Sequence, residues 1–264
     1  MKLAIVFSGQ VRGFAQESIY NAKKIFFDFD ADFYYGVYEG DKDDLPPMND
    51  THNVVYFPEP ELPEGHIWWH VGRKPDCIEY ERVLKDKVMV DWNRWDRRRH
   101  QSKQFYSHFY TTKHFNLHEK YDYILRMRYD AIFDLNRIED TMEYFHECLE
   151  FDGLRGCQTN EGITEIDEPI DGVVRMIGVH TECVNDQVWT YPSKHFCDED
   201  TIFELFQKNL LPPVEWGLYR LATEHTGPAG SGQVLSSIIP YFKIARTKEW
   251  LAIREDRLLK GLTI

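Results

Sequence analysis

Residues 3–12, LAIVFSGQVR, contain five consecutive apolar residues closed by a turn that includes Gly9. A short apolar run with such an end is typical of a buried strand, which we predict over residues 2–7. Apolar residues then recur at helical spacing over residues 15–27, and residues 31–38 are rich in aromatic side chains that favour a strand. Strand, helix and strand within about 35 residues is the size of a βαβ unit, so a parallel sheet is predicted.

The rest of the chain continues to alternate between the two kinds of pattern. Further strands are predicted at residues 53–57, 123–130, 173–179 and 241–245. Further helices are predicted at residues 75–90, 101–117, 138–149, 200–210 and 214–223, and a last helix between the glycine-rich link 227–232 and residue 241. This alternation predicts an α/β fold with a Rossmann-type, mostly parallel central sheet flanked by helices. The length fits one domain over residues 1–264.

The charge balance limits the partners that the chain can bind. Its 264 residues include 31 Lys and Arg against 44 Asp and Glu, so the formal net charge is −13. This excludes a surface that is basic throughout, as non-specific nucleic-acid binding requires, but leaves room for a local basic cleft. The apolar runs are far shorter than the roughly 20 residues of a membrane span, and the first one lacks the features of a signal peptide. We therefore expect a cytoplasmic protein without a membrane span.

The end of the first predicted strand is the first candidate ligand site, because ligands of parallel α/β sheets bind outside the carboxyl ends of the strands. It comprises Phe7, Ser8, Gly9, Gln10 and Arg12. Gly9 permits close backbone approach, the loop amides favour an anion, and Arg12 adds a positive charge. The alternative is a tight turn with a solvated arginine. Neither GxGxxG nor a P-loop sequence occurs, so neither of those nucleotide sites is predicted.

The predicted strand at residues 123–130 ends in polar residues and gives a second candidate. Side chains alternate along a strand, so Arg126, Arg128 and Asp130 share one face. The other face then carries Leu125, Met127 and Tyr129. Two guanidinium groups and a carboxylate at the end of an apolar strand need partners. They form either a buried structural network or a site in which the arginines bind phosphates and Asp130 binds a divalent metal or a ribose hydroxyl.

Three segments together resemble a family of glycosyltransferases found in bacteria, phages and large DNA viruses: residues 5–12 (IVFSGQVR), 121–130 (YDYILRMRYD) and 184–188 (VNDQV). Members of that family have an FSGQxR-like start, then a YDxxxRxRxD segment, then an NDQ motif. The resemblance implies a GT-A-like fold and a nucleoside-diphosphate sugar donor, with a UDP-sugar expected. It also implies a nucleotide-binding half at about residues 1–135 and a sugar and acceptor half at about residues 136–264. If the chain is viral, its cytoplasm is that of the host cell.

The resemblance also assigns roles to particular residues. The loop from Ser8 to Arg12 is expected to face the nucleotide, and Asp130 stands where GT-A enzymes keep the last carboxylate of a metal-binding DxD. Asp130 is therefore the predicted ligand of Mg²⁺ or Mn²⁺. Arg128 replaces the first Asp of DxD, and an arginine at that position can neutralise the diphosphate itself. The nucleotide-sugar-binding residues predicted in this way are Phe7, Ser8, Gly9, Gln10, Arg12, Arg126, Arg128, Asp130 and Gln187.

Asp186 and Gln187, with His180 nearby in sequence, form a third candidate cluster. A carboxylate and an amide together offer acceptors and donors to sugar hydroxyls. Asp186 is also the predicted general base if the reaction inverts, beside Arg128 as the second catalytic residue. The alternative is a helix that begins here, with Asn185 or Asp186 as its N-cap.

Residues 91–103 concentrate five cationic residues beside two tryptophans in an otherwise acidic chain. Interleaved tryptophans and arginines stack on bases and bind phosphates, which predicts a flexible loop that binds a polynucleotide or the donor diphosphate. The alternative is the solvated start of a surface helix. The acceptor-binding residues predicted here are Trp92, Arg94, Trp95, Arg97, Arg98 and Arg99.

The acceptor of the transferred sugar is left open by the sequence. A hydroxymethylated base of phage DNA fits the basic segment at residues 91–103. A cell-surface glycan or a protein side chain fits the remaining features equally. A non-catalytic nucleotide- or glycan-binding protein of the same fold is the alternative from a different functional class.

Overall fold

The computed structural model describes residues 1–11, 13–49, 51–60, 92–159, 187–195, 234–239 and 241–244, and for residues 92–102, 158–159, 234–239 and 243 it describes the backbone alone. The strands are β1 (Leu3–Phe7), β2 (Ala31–Tyr38), β3 (Val54–Phe57), β4 (Tyr123–Met127), β5 (Ala131–Phe133), β6 (Leu154–Thr159), β7 (Val188–Pro192), β8 (Val234–Ile239) and β9 (Phe242–Ile244). The α-helices are α1 (Ala15–Ile25), α2 (Trp92–His114), α3 (Leu117–Lys120) and α4 (Ile138–Glu150). Short 3-10 helices lie at Glu39–Asp44, Thr51–Asn53, Leu135–Arg137 and Ser193–His195.

Seven of the described strands form one sheet in the order β3-β2-β1-β4-β7-β6-β8. The neighbouring pairs β3–β2, β2–β1, β1–β4 and β6–β8 are parallel, and β7 runs antiparallel to both of its neighbours. β5 and β9 form a separate antiparallel pair. The chain moves outward from β1 to β2 and β3, and then returns to place β4 on the other side of β1. Strand order therefore reverses between β1 and β4.

One face of the sheet carries the apolar core. Strand residues such as Ile5 and Met127 pack there with Ile19 of α1 and Phe145 of α4. The aromatic side chains meet edge-on, as between Phe26 and Phe145, whose ring centroids lie 5.0 Å apart. Helix α1 forms because its apolar residues recur every three or four positions, so they all reach the same face of the sheet.

Helix α2 covers the opposite face. Phe105 packs against Trp189 of β7, with ring centroids 5.9 Å apart, and Tyr110 stacks on Phe57 of β3 at 4.4 Å. The helix lies close to β2 because Gly36 has no side chain: a Cβ added at that position would collide with Thr111 of the helix. This contact sets the distance between α2 and the sheet at β2.

The structure confirms the predicted α/β class, with a Rossmann-type, mostly parallel central sheet flanked by helices. The predicted strand over residues 31–38 matches β2, and the predicted strands at 2–7 and 53–57 match β1 and β3 to within one residue. The helix predicted at residues 138–149 matches α4 to within one residue. Strands from both predicted halves of the chain join the same sheet, because β4 pairs with β7.

Three predictions of secondary structure were wrong. The helix predicted between residues 232 and 241 is strand β8, because a short apolar run such as VLSSII suits a buried strand as well as a helix. Of the two alternatives for residues 91–103, the flexible loop is wrong and the start of a helix is confirmed, because α2 begins at Trp92, nine residues before the predicted start at residue 101. The predicted strand at residues 123–130 ends at Met127, because the chain turns there and the Ala131 amide donates to the Arg128 carbonyl at 3.2 Å.

Strands β5, β6 and β7 and the short helix α3 were not predicted from the sequence. The elements predicted at residues 75–90, 173–179, 200–210 and 214–223 lie outside the described residues. Within the described part of the chain, no helix is both long enough and apolar enough to cross a membrane.

Candidate functional site

The candidate site lies at the carboxyl ends of β1 and β4, where the strand order reverses. Phe7 and Met127, the last residues of the two strands, are register partners. In open α/β sheets the crevice outside such a reversal point is where ligands bind. The first two sequence motifs therefore meet at one edge of the sheet, although about 120 residues separate them in the chain.

The loop after β1 is held by hydrogen bonds from its backbone amides. The Ser8 amide donates to the Met127 carbonyl at 3.1 Å, and the Gly9 amide donates to Ser107 Oγ at 3.0 Å. The Val11 amide donates to Asp41 Oδ2 at 3.1 Å. These three amides are therefore satisfied by the protein itself. Gly9 has a φ of +106°, a backbone conformation that L side chains rarely adopt, so the turn needs glycine here.

Arg126 of β4 is the centre of the contacts at this edge, and it is 0% exposed. Its Nε donates to Ser8 Oγ at 3.1 Å, and its Nη2 donates to the Ser8 carbonyl at 3.2 Å and to Gln104 Oε1 at 2.9 Å. Its Nη1 donates to the Gln187 carbonyl at 3.4 Å. The guanidinium carbon lies 4.5 Å from the ring centroid of Trp189, a cation–π geometry.

His108 of α2 is fully buried on the same side of the sheet. Its Nε2 is 2.8 Å from the Tyr191 hydroxyl. Burial, and secondarily the positive charge of Arg126, hold the pKa of His108 well below the ordinary value of 6.5. The imidazole is therefore neutral at physiological pH, as expected for a histidine in an apolar site close to a buried cation.

Arg128 and Asp130 form a two-point ion pair just beyond the end of β4. Arg128 Nε donates to Asp130 Oδ1 at 2.7 Å, and Arg128 Nη2 donates to Asp130 Oδ2 at 2.8 Å. The Asp130 side chain is 3% exposed and that of Arg128 is 17% exposed. Asp130 is thus the buried anchor, and Arg128 presents part of its surface to solvent. This pair matches the structural network that the sequence left open as one of two alternatives.

Both carboxylate oxygens of Asp130 accept hydrogen bonds from Arg128. In the described part of the chain, no group of three or more His, Cys, Asp or Glu residues is arranged to hold a metal ion. The predicted role of Asp130 as a ligand of Mg²⁺ or Mn²⁺ stays a prediction.

The other residues predicted for donor binding have different positions. Phe7 is buried in the core, with its ring centroid 5.7 Å from that of Tyr35, and Gln10 is exposed. Gln187 directly precedes strand β7, so the alternative in which a helix begins at this segment is wrong. Arg12, His180 and Asp186 lie outside the described residues. The acceptor-binding candidates Trp92, Arg94, Trp95, Arg97, Arg98 and Arg99 lie in α2, where the backbone alone is described.

Sequence reasoning missed three side chains at this edge. Gln104 accepts a hydrogen bond from Arg126, and Ser107 accepts one from the Gly9 amide. Trp189 stacks on Arg126. Gln104 and Ser107 lie one turn apart on α2, which is the spacing of neighbours on a helix face. That spacing marks them as sharing a face, but nothing in the sequence indicates which strand this face meets.

No protein-family model matches the sequence, and no curated protein matches it. Solved structures that match over nearly the whole chain include the following two. One is a putative glucose-1-phosphate thymidylyltransferase from Bacillus anthracis in complex with sucrose (12% identity, TM-score 0.43, covering 100% of this chain and 97% of that one). The other is the galactosyltransferase LgtC in complex with donor and acceptor sugar analogs (14% identity, TM-score 0.41, covering 99% and 96%). Because both TM-scores are below 0.5, the fold class of this protein rests on its own strand order.

Proposed function

We propose that this protein is a GT-A-like glycosyltransferase that moves a sugar from a nucleoside diphosphate, expected to be UDP, to a hydroxyl acceptor. One observation carries the proposal: Arg126 joins three motifs that are far apart in sequence. It contacts Ser8 of the FSGQ segment and Gln187 of the NDQ segment, and it belongs itself to the YDxxxRxRxD segment. Motifs that meet at the reversal point of an α/β sheet lie where such folds bind nucleotides.

Arg128 is the residue that acts on the leaving group in this proposal. In the transfer step the bond between the sugar anomeric carbon and the diphosphate oxygen breaks, and the acceptor oxygen bonds to that carbon. The departing diphosphate gains negative charge, which Arg128 stabilises because its fork is fixed by Asp130 while part of its surface is exposed. If the reaction inverts, the acceptor proton goes to the carboxylate of Asp186, the general base predicted from the sequence.

Two ways of neutralising the diphosphate fit this scheme. Arginine alone can supply the charge, since both oxygens of Asp130 accept hydrogen bonds from Arg128, or Asp130 can hold Mg²⁺ or Mn²⁺. An Mg²⁺ or Mn²⁺ requirement remains open to a direct test. If hydrolysis of the donor is abolished by EDTA, and Asp130→Asn weakens Mn²⁺ binding, Asp130 is a metal ligand. Activity that is insensitive to EDTA supports neutralisation by arginine alone.

The proposal is tested by hydrolysis of a panel of nucleoside-diphosphate sugars without acceptor. Arg128→Ala should lower kcat/KM by 10²-fold or more. A charged hydrogen-bond donor that faces the developing negative charge stabilises the transition state by about 3 kcal/mol. Arg137→Ala is the matched control, since Arg137 forms an Arg–Asp pair of the same length, 2.8 Å to Asp140, on the exposed start of α4. The control should retain normal turnover. Near-normal kcat/KM in a folded Arg128→Ala variant contradicts the assignment.

A non-catalytic binding protein of the same fold is distinguished by the same panel. Such a protein gains apparent stability when a nucleotide sugar binds, yet it does not hydrolyse any of them. Thermal unfolding measured with each sugar, alongside hydrolysis, therefore separates the two functions.

The acceptor is the least constrained part of the proposal. The basic segment at residues 92–103 lies in the first part of α2. The next residue of that helix, Gln104, contacts Arg126 at the candidate site, so the basic segment leads directly to this site. This continuity supports an acceptor that carries phosphates, such as a hydroxymethylated base in DNA. Replacing Arg97, Arg98 and Arg99 together should lower transfer to DNA and its salt dependence while donor hydrolysis is retained. If hydrolysis and transfer fall together, the arginines bind the donor instead. If neither changes, the segment is a solvated surface, and the DNA hypothesis loses its support from the sequence.

A further inference from the structure

We infer that Arg126 is a positioning residue, which holds the Ser8–Gly9 loop in its binding geometry and does not itself contact the donor. The inference rests on the proposed function for its consequence on turnover, but the positioning itself is a property of the free protein. It reassigns a residue that its motif alone places among the donor ligands.

The hydrogen-bonding capacity of Arg126 is largely used within the protein. A guanidinium has five N–H donors, and four of them are taken by Ser8 Oγ, the Ser8 carbonyl, Gln104 Oε1 and the Gln187 carbonyl. One face of the group is covered by the Trp189 ring at 4.5 Å. The residue is 0% exposed. A phosphate can reach this guanidinium only by displacing contacts that already satisfy it.

These contacts tie together three elements that the chain does not connect locally. Ser8 follows β1, Gln104 lies in α2, and Trp189 lies in β7. The planar fork of an arginine sets distances and angles at once, which an ammonium group on a flexible stem does not. Arg126 therefore fixes the β1 loop against both the helix and the antiparallel strand.

The loop that Arg126 holds is also the loop that needs an unusual backbone conformation. Gly9 has a positive φ, and its amide donates to Ser107, one turn of α2 after Gln104. If Arg126 releases the carbonyl and hydroxyl of Ser8, the Gly9 amide loses its alignment with Ser107. The consequence is a loop that binds donor less well, because the energy of ordering it must then be paid on binding.

The first arm of the experiment needs no substrate. Protein labelled with ¹³C-carbonyl serine and ¹⁵N-glycine gives paired signals from only two Ser-Gly sequences, residues 8–9 and 231–232. Ser107→Ala removes the acceptor of the Gly9 amide, so it identifies the Gly9 signal and sets the fast limit of hydrogen exchange. Arg126→Lys should speed exchange of the Gly9 amide by at least 10-fold. Arg155→Lys is the matched control, because Arg155 also stacks on an aromatic ring, 4.6 Å from Tyr144, but lies in β6.

A milder variant keeps the inference testable if Arg126→Lys does not fold. Gln104→Ala removes one acceptor of Arg126 and should speed exchange at Gly9 about 3-fold or more. Gln104→Glu should restore slow exchange, because its carboxylate accepts the same hydrogen bond. Equal exchange at Gly9 in the wild type, Arg126→Lys and Gln104→Ala overturns the inference.

The second arm uses donor hydrolysis. A positioning role predicts that Gln104→Ala raises KM about 10-fold with little change in kcat, and that Gln104→Glu restores KM. If Arg126→Lys leaves exchange at Gly9 slow yet abolishes donor binding, Arg126 contacts the donor directly and the inference is wrong. If the wild type hydrolyses no donor, the proposed function fails, while the exchange measurements still decide whether Arg126 positions the loop.

Discussion

The two faces of the central sheet are both buried, but they differ in chemistry. The face beneath α1 and α4 is packed with aromatic and aliphatic side chains, and its polar groups Ser18 and Asn21 donate to backbone carbonyls of strand β5. The face beneath α2 buries a larger polar set in its interior. This set comprises Ser107, His108, Thr111, Thr112 and Arg126.

The difference separates a face that stabilises the protein by packing from a face that also fixes the positions of polar side chains. An apolar face needs only close packing, and its stabilisation grows with the area removed from water. A buried polar face is stable only when each group has a partner with the right direction. The α2 face therefore fixes positions as well as enclosing them, and it is the face whose contacts reach the carboxyl ends of β1 and β4. Three predictions test this division, in order of decreasing effect.

The largest effect is expected on the apolar face. Phe145 is fully buried and meets Phe26 and Phe133, with ring centroids 5.0 and 5.7 Å away. Phe145→Ala should lower the free energy of unfolding by about 3–5 kcal/mol, since it removes a buried ring and leaves a cavity. Urea denaturation measures the change. The control is Phe27→Ala, whose side chain is 81% exposed and should change stability by less than about 0.5 kcal/mol.

The second effect concerns the height of α2 above the sheet. Gly36→Ala places a methyl group against Thr111 and should destabilise the protein by about 1–3 kcal/mol through overpacking. Gly40→Ala is the matched control, because nothing lies within 4 Å of the added methyl group. Thermal unfolding of both variants gives the comparison. If the two glycines tolerate alanine equally, the close contact between α2 and β2 is not a constraint.

The smallest effect is a pH dependence that belongs to the α2 face. The folded state holds the pKa of His108 below 6.5, so the unfolded chain binds a proton there as the pH falls while the folded protein does not. The contribution of His108 to the free energy of unfolding is therefore fully present above pH 6.5. Below that pH it is lost by up to about 1.4 kcal/mol per pH unit. His108→Phe should flatten the fall in stability between pH 7 and pH 5, as measured by urea denaturation.

The control for this prediction is Thr112→Val on the same helix. Thr112 donates to the His108 carbonyl at 2.9 Å, and its loss should cost about 1 kcal/mol at every pH. It carries no titratable group, so the pH dependence should match that of the wild type. A His108→Phe variant with an unchanged pH dependence contradicts a buried neutral imidazole.

The prediction of the first βαβ unit succeeded because its signals are local. An apolar run, a glycine turn and a helical repeat follow one another between residues 3 and 38, and each reflects a few neighbouring backbone torsions. Strands β6 and β7 were missed because their burial depends on neighbouring strands that are distant in sequence. β7 is buried at every residue between β4 and β6, so it has no alternation of polar and apolar side chains that would mark it as a strand.

The candidate site divides in the same way. Ser8, Gly9, Arg126 and Asp130 are candidates from the sequence, because polar residues at or just beyond the end of an apolar strand stand out in one dimension. The sequence also predicted that Leu125, Met127 and Tyr129 share the other face, and the structure buries all three in the core. The sequence was not enough to assign the contacts of the polar candidates. For Arg128 the sequence left two roles open, a structural network with Asp130 and phosphate binding, and the structure shows a two-point ion pair with Asp130.

What the sequence determined by itself is therefore the fold class and the polar residues at the ends of the first and fourth strands. Only the tertiary structure decided that Arg126 lies between Ser8, Gln104 and Gln187, residues separated from it by 118, 22 and 61 positions. The physical reason is that strand order, and not chain order, brings these side chains together. Sequence patterns indicate whether a segment is a helix or a strand and which of its faces is buried. The partner of a buried charge depends instead on which elements lie next to one another in the folded sheet.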